Sequence, residues 1–521
     1  MELHYSVMIQ IHMINILGGS IMNKRLRCDE LKKKVMSAKE AAKLFKDNMV
    51  IGTSGFTPAG YPKAVPLALA DRVKNGENIG ITLITGASVG PELDGVLSDA
   101  GVIKRRYPYQ TNSDCRNAIN NSDIKYSDMH LSHTPQWIKY GFLEKIDIAL
   151  IEAVAITEEG YIIPSTSIGN SNIFVEYADK VIIEINTSQP IELEGIHDIY
   201  SLETPPNRKP IPLVKPDDKI GTTYINCDKE KIAAIVYTDI KDKTIPVEPI
   251  DSVSEKMAKN LIEFLEKEVR ANRLPKKLLP IQSGVGSVAN AILGGLVESE
   301  FEDLVIYSEV IQDSVIDLIE FGKVKFASGT SLTISPERLD DFYSNLERYK
   351  DKLILRPQEI SNSPEVVRRL GIIAINTAIE VDIYGNINST NIMGSRIMNG
   401  IGGSGDFARN GYLTIFTTES IAKNGSISSI VPMVSHHDHT EHDVMIIVTE
   451  QGVADLRGLS PKERAKEIIE NCAHPEYKYA LYDYFNRACE GKYKHTPHIL
   501  KESLSWHDKF LEDGSMLKSD N

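Results

Sequence analysis

The chain is expected to fold as two similar open α/β lobes with mostly parallel sheets, an active site between them and a helical C-terminal tail. Three observations predict this. Short β-branched apolar runs alternate with amphipathic stretches of helical period along most of the sequence. A proline-punctuated polar segment interrupts the alternation near the middle, and the same texture resumes beyond it. At 521 residues the chain also exceeds a single ordinary core. A cleft between two lobes is a natural place for a ligand.

Residues 1–21 are set aside first. Val7 to Ile21 is fairly apolar but contains Gln10, His12 and Asn15, and no Lys or Arg precedes it. A signal peptide needs a basic leader and a clean apolar core. The stretch is also too short and too polar to span a bilayer. It is read as an extension outside the fold, with Met22 as the alternative start.

The N-terminal α/β unit is placed at 22–228. Ser37-Ala38-Lys39-Glu40 is a capping box ahead of a helix. Met49 to Gly52 reads as a strand, Gly55 to Pro62 as a turn-rich loop, Lys63 to Lys74 as a helix and Ile79 to Thr85 as a strand. Ile146 to Ile151 and Lys180 to Ile185 continue the set. Strands alternating with helices predict parallel pairing with right-handed crossovers. Pro205, Pro206, Pro210, Pro212 and Pro216 mark the linker. The C-terminal unit, 229–521, is expected to open with a strand at Ile232 to Tyr237, followed by an amphipathic helix over Ser254 to Ala271. Its tail, Ser460 to Leu517, reads as helical, with Pro461 at a helix start.

Composition narrows the function. The 58 basic and 72 acidic residues leave a net charge of −14, which argues against broad nucleic-acid binding. The five cysteines are scattered and lack CxxC spacing, as in a reducing compartment without a metal ribbon. No later stretch has the length and apolarity of a membrane span, so a cytoplasmic protein is expected. A homodimer is the expected assembly.

The chemistry is expected around Leu304 to Asp313. Leu304 to Tyr307 reads as a buried strand, and Ile311, Val315, Leu318 and Ile319 follow helical spacing. Glu309 then falls where strand gives way to helix, and the helix dipole there favours an ionised carboxylate. Such a group is a nucleophile, a base or simply a capping acid.

Two glycine loops surround this acid in the sequence. Gly284-Val285-Gly286-Ser287-Val288-Ala289 fits GxGxxA between an apolar run and a helix over Val288 to Leu296, and its amides suit a phosphate or an oxyanion. Glu309 lies 25 residues after Gly284, close to the spacing of a ribose-binding acid, so an NAD-dependent dehydrogenase is an alternative. Asn399 to Asn410 places four glycines within six residues, from Gly400 to Gly405. Two such loops beside a poised carboxylate point instead to acyl chemistry, with amides facing a developing oxyanion.

Two further patterns are weaker. Gly86-Ala87-Ser88-Val89-Gly90 fits GxSxG, the elbow of a serine hydrolase. Ser435 to Asp443 carries four histidines and three acids, a conceivable metal set. It lacks HExxH spacing, and a hydrogen-bonded polar loop near the lobe interface is favoured over a metal site.

Taken together, QSGVGSVANA (Gln282 to Ala291), YSEVIQD (Tyr307 to Asp313), RPQEISNSPEVVRRLG (Arg356 to Gly371), VDIYGNINST (Val381 to Thr390), NGIGGSGDFARN (Asn399 to Asn410) and VPMVSHHDHTEHD (Val431 to Asp443) resemble the acetyl-CoA hydrolase/transferase family of class I CoA-transferases. GFTPAGYPK near the N-terminus and TEQGVADLRGLSP (Thr449 to Pro461) fit as well. Within the family the chain looks most like the succinyl-CoA:CoA-transferases and succinyl-CoA:acetate CoA-transferases. The likeness runs from about Met36 to the C-terminus, with Gly411 and His437 as small departures.

The resemblance implies an NagB/RpiA-like fold and a double displacement in which Glu309 attacks an acyl-CoA and passes through a glutamyl-CoA thioester. CoA is then substrate and covalent intermediate, no prosthetic group is required, and a short-chain carboxylate is the acceptor. The resemblance also implies oxyanion donors at the Val285 and Gly403 amides and support from the Asn362 side chain. It puts CoA along Gln282, Ser283, Gly284, Val285, Gly286, Asn399, Gly403 and Lys423, with Glu450 as a supporting acid. The histidine segment, His436 to His442, is shared by a family that does not depend on zinc. A hydrolase, with water in place of the acceptor acid, is the alternative within it.

Overall fold

The computed structural model describes residues 24–121, 124–246 and 249–517; the expected extension at 1–21 lies outside them. The chain builds two eight-stranded sheets. In the first, the order from one edge is Lys125–Tyr126, Ile103–Tyr107, Ile81–Ile84, Val50–Thr53, Ile148–Ile156, Lys180–Asn186 and Ile232–Thr238, all parallel, and Ile162–Pro164 joins Ile148–Ile156 antiparallel. In the second the order is Leu353–Leu355, Val324–Gly329, Leu304–Tyr307, Ile281–Ser283, Ile373–Thr377, Leu413–Thr417, Ile446–Thr449 and Gly452–Asp455. Only the last pair in that sheet is antiparallel.

The parallel arrangement follows from the sequence. All nine residues of Ile148–Ile156 are buried, as expected of a strand covered on both faces. Helix starts are fixed by local chemistry. Glu40 N–H donates to Ser37 Oγ over 3.2 Å and Ser37 N–H donates to Glu40 over 2.9 Å, the capping box read from the sequence. Asp251 accepts from Val253 and Ser254 N–H to start Ser252–Arg270. The tail is helical as expected, with Pro461–Cys472, Pro475–Glu490 and Ser505–Asp513.

Two sequence expectations are corrected. Ile232–Thr238 does not open the second sheet; it pairs with Lys180–Asn186 and completes the first. Its apolar residues are satisfied by a parallel neighbour already in place, and strand order is not a local property. The proline-rich segment is not a free tether. Leu202, Ile211 and Leu213 are buried against Tyr307, Ile360, Val366 and Phe407 of the second lobe, and Arg369 donates to the carbonyls of Ile211 and Leu213. One contiguous apolar cluster runs from Ile151 and Ile183 to Ile306 and Ile375, so the lobes share a core. Among the described residues no helix is long and apolar enough to cross a membrane.

Candidate active site

A cavity of about 380 Å³ opens between the lobes. Phe56, Ser88, Tyr109 and Leu131 line it from the first lobe, and Val285, Glu309, Asn399 and Gly403 from the second.

Glu309 sits in the turn that follows Leu304–Tyr307, a strand whose Ile306 pairs with Ile281 beside the first glycine loop. Its backbone is pinned. The Glu309 carbonyl accepts from Thr330 N–H at 2.7 Å and Ser331 N–H at 3.2 Å, and Ser308 Oγ donates to Ser283 O at 3.0 Å. The expected junction of strand and helix is not found at this acid. A short strand, Val310–Gln312, pairs with Ser331–Thr333 first, and the helix begins at Asp313. Glu309 therefore does not cap the helix that follows it. Enclosure by the lobes instead pushes its carboxyl up to about 7, against a smaller opposing pull from the Asn362 hydrogen bond.

Asn362 follows the short helix Gln358–Ser361, is fully buried, and donates from Nδ2 to Glu309 Oε1 over 2.7 Å. Gly403 closes on the same contact. A Cβ built there would stand 2.0 Å from Glu309 Oε1 and 2.4 Å from Asn362 Nδ2. Gly403 has φ −90°, so the glycine is required for space and not for backbone freedom.

Ser283, Gly284, Val285, Gly286, Asn399 and Gly403 all line the cavity. Gly286, at φ 111°, turns the chain into the helix Ser287–Glu298, close to the expected Val288 to Leu296. Val285 is half-exposed, at 50%. Among the described residues neither the Val285 nor the Gly403 N–H donates a hydrogen bond, which leaves both free for a ligand oxygen. Gln282 is buried within the sheet, where Oε1 accepts from Ile375 N–H, and Lys423 sits 5.1 Å from the Phe510 ring; neither is among the residues lining the cavity.

Residues not singled out from the sequence hold the second loop. Tyr126 OH donates to Asn399 O at 2.6 Å, Asp128 accepts from Ile401 N–H at 2.9 Å, and Ser132 donates to Asp406 from both N–H and Oγ. Tyr109 packs beside Gly402 and lines the cavity near Glu309. The hydrogen bonds join residues about 270 positions apart, Tyr109 and Gly402 are farther apart still, and nothing local in the sequence announces these contacts.

The remaining motifs resolve as follows. Ser88 lines the cavity, but the next helix begins only at Asp94, so the strand-to-helix elbow is absent, and no histidine is hydrogen-bonded to Ser88 among the described residues. In the histidine segment Asp438 accepts from Ser389 N–H and Thr390 Oγ1, while His439 Nε2 lies 3.0 Å from Ser404 Oγ. Burial lowers the His439 pKa to about 4. Among the described residues no group of acids, histidines and cysteines is arranged to hold a metal. Glu450 caps Ser420, accepting from its N–H and Oγ.

The fold is that seen in solved CoA-transferases. The structure of 4-hydroxybutyrate CoA-transferase from Porphyromonas gingivalis superposes with a TM-score of 0.62, covering 88% of this chain and 99% of that one at 20% identity. In sequence, the acetyl-CoA hydrolase/transferase N-terminal domain matches residues 20–237 and the C-terminal domain residues 339–485. Succinyl-CoA:acetate CoA-transferase of Clostridium kluyveri is 61% identical, over 95% of this chain and 92% of that protein. Acetyl-CoA hydrolase of Saccharomyces cerevisiae is 45% identical over 96% of this chain and 98% of its own length. The chain belongs to the acetyl-CoA hydrolase/transferase family.

Proposed function

We propose that the protein transfers CoA from succinyl-CoA to acetate, in the cytoplasm and as a homodimer, through a covalent intermediate on Glu309. The observation that carries the reading is the contact set around one oxygen: Asn362 Nδ2 and Gly403 both close on Glu309 Oε1 at the cavity wall. The high identity to a succinyl-CoA:acetate CoA-transferase supports the substrate pair.

In this reading the Glu309 carboxylate attacks the thioester carbonyl carbon, the C–S bond breaks, and CoA leaves as thiolate with a mixed anhydride behind it. The thiolate then attacks the glutamyl carbonyl, releasing succinate and forming the Glu309–CoA thioester. Acetate repeats the two displacements in reverse, so that acetyl-CoA leaves and the carboxylate returns. No proton is gained or lost over the cycle, and no general base is needed. Each attack places charge on a carbonyl oxygen, which the amides of Val285 and Gly403 receive while the Asn362 amide supports the second carbonyl. A carboxyl held near 7 is partly protonated at neutral pH but more nucleophilic when ionised. CoA follows the first glycine loop and Asn399, with Lys423 toward the nucleotide end.

Incubation with succinyl-CoA alone, followed by digestion and mass analysis, tests the reading. A CoA adduct is expected on the Glu309 peptide, and Glu309→Ala is expected to abolish acetate-dependent acetyl-CoA formation. An adduct on another residue, or near-normal exchange by the variant, overturns it. The fungal relative named acetyl-CoA hydrolase supports hydrolysis as a second reading; thiol release without any carboxylate, at the rate of the full reaction, would establish it.

A further inference from the structure

We infer that Asp406 is a positioning residue: it holds the Asn362 amide in its donating orientation throughout the cycle and makes that orientation depend on the contact between lobes. The inference rests on the reading of Glu309 as nucleophile.

Asn362 is fully buried, and its amide nitrogen serves two carboxyls, Glu309 Oε1 at 2.7 Å and Asp406 Oδ2 at 3.4 Å. Its oxygen accepts from Ser361 Oγ at 2.8 Å. With acceptors facing the nitrogen and a donor facing the oxygen, only one of the two flip states satisfies every partner. Conversion of Glu309 to an anhydride or thioester removes its charge. Asp406 is then the remaining carboxylate on that nitrogen, and it keeps the amide from turning its oxygen toward the reacting carbonyl.

Asp406 is buried in the helix Ser404–Ala408 of the second lobe, yet its strongest partners belong to the first. Ser132 N–H donates to Oδ2 at 2.9 Å and Ser132 Oγ to Oδ1 at 2.6 Å. The chain of contacts therefore runs from one lobe through Ser132, Asp406 and Asn362 to Glu309. The other titratable groups nearby are Tyr109, which faces Glu309 from the first lobe, His130, whose ring packs on Gly405, and Asp128, bonded to Ile401 N–H. Arg409, on the turn after Asp406's helix, is exposed. Burial, with Glu309 adding to it, also raises the Asp406 carboxyl to about 7.

The test is Asp406→Asn in the full chain, read by exchange rate across pH and by the rate of CoA adduct formation. The variant removes the carboxylate charge and leaves Asn362 Nδ2 only a neutral amide oxygen to donate to, in place of a charge-assisted acceptor. Exchange is expected to fall about 10- to 100-fold, with the acid limb moving to lower pH. Ser132→Ala keeps the Asp406 charge but removes a hydrogen bond that holds its carboxyl down, and is expected to move the limb to higher pH, opposite to Asp406→Asn. An Asp406→Asn profile that superposes on the parent overturns the proposal, and so does an equal shift to lower pH from Ser132→Ala. If Asp406→Asn does not fold, Asp406→Ser serves the same comparison. Exchange retained by Glu309→Ala would sink the nucleophile reading itself. A dead Glu309→Ala beside a normal Asp406→Asn removes only the positioning role.

Discussion

Gly403 and Glu309 approach so closely that a single methyl carbon on the glycine would stand 2.0 Å from the acid's Oε1. The backbone of Glu309 cannot retreat, because its carbonyl is held by Thr330 and Ser331 N–H. Gly403→Ala must therefore turn the carboxylate or push the loop. Since φ at this glycine is −90°, no backbone strain enters. Exchange is expected to fall by at least about 100-fold, the scale of a 1 Å misplacement, with far-ultraviolet circular dichroism unchanged. Activity within a few-fold of the parent would refute the steric account.

The pH dependence follows from burial. A glutamate with its carboxyl at about 7 is protonated and unreactive below that pH. Activity should rise through about pH 7 and level off above it. The stability sign is opposite. A folded-state pKa above the unfolded value contributes stability below the unfolded pKa, and that contribution is lost as pH rises through 7. Glu309→Gln should therefore raise the melting temperature more at pH 8 than at pH 5, a difference that differential scanning calorimetry measures directly.

Ser331 ties the cavity wall together. Its Oγ donates to the Phe56 carbonyl at 2.7 Å and lies 3.0 Å from Thr333 Oγ1, which also meets Thr57. Thr57 takes φ 58°, a left-handed conformation that threonine adopts only when its surroundings impose it. Ser331→Ala removes one of two donors to the Phe56 carbonyl, which keeps Thr57 Oγ1, and should cost about 0.5–1.5 kcal/mol in urea unfolding. An unchanged midpoint would show that Thr57 is held by other contacts.

Lys423 sits beside Phe510, away from the reacting oxygen. Lys423→Ala is expected to raise KM for acyl-CoA several-fold with little change in kcat, as for uniform binding. A kcat loss of the same size would place it nearer the chemistry.

The histidine segment supports the second glycine loop through His439 and Ser404. Dialysis against a chelator should leave exchange unaltered. A loss that zinc restores would revive the metal reading.

The alternation of strands and helices, both glycine loops and the acid between them were legible because each is a local pattern. Ser37 and Glu40 announced a helix start in four letters, and Gly284 to Ala289 announced a turn into a helix. What stayed hidden depends on distant partners. Glu309 read as a helix-end acid because the pairing of Val310–Gln312 with Ser331–Thr333 cannot be seen in either segment alone. Tyr109, Ser132 and Asp406 carry no local signature, since each acquires its meaning only when the lobes meet. Ile232–Thr238 was recognisable as a strand, but its neighbour in the sheet was not.

The proline-rich segment has a mechanical consequence. It runs as a strap across the second lobe, with Arg369 gripping the carbonyls of Ile211 and Leu213, Arg356 holding Pro216 O, and Ile211 and Leu213 sunk beneath it. The two halves are thus buckled together outside the cavity as well as fused within. Parting the halves would have to break these bonds and uncover the shared core, and heating should melt both in one calorimetric step.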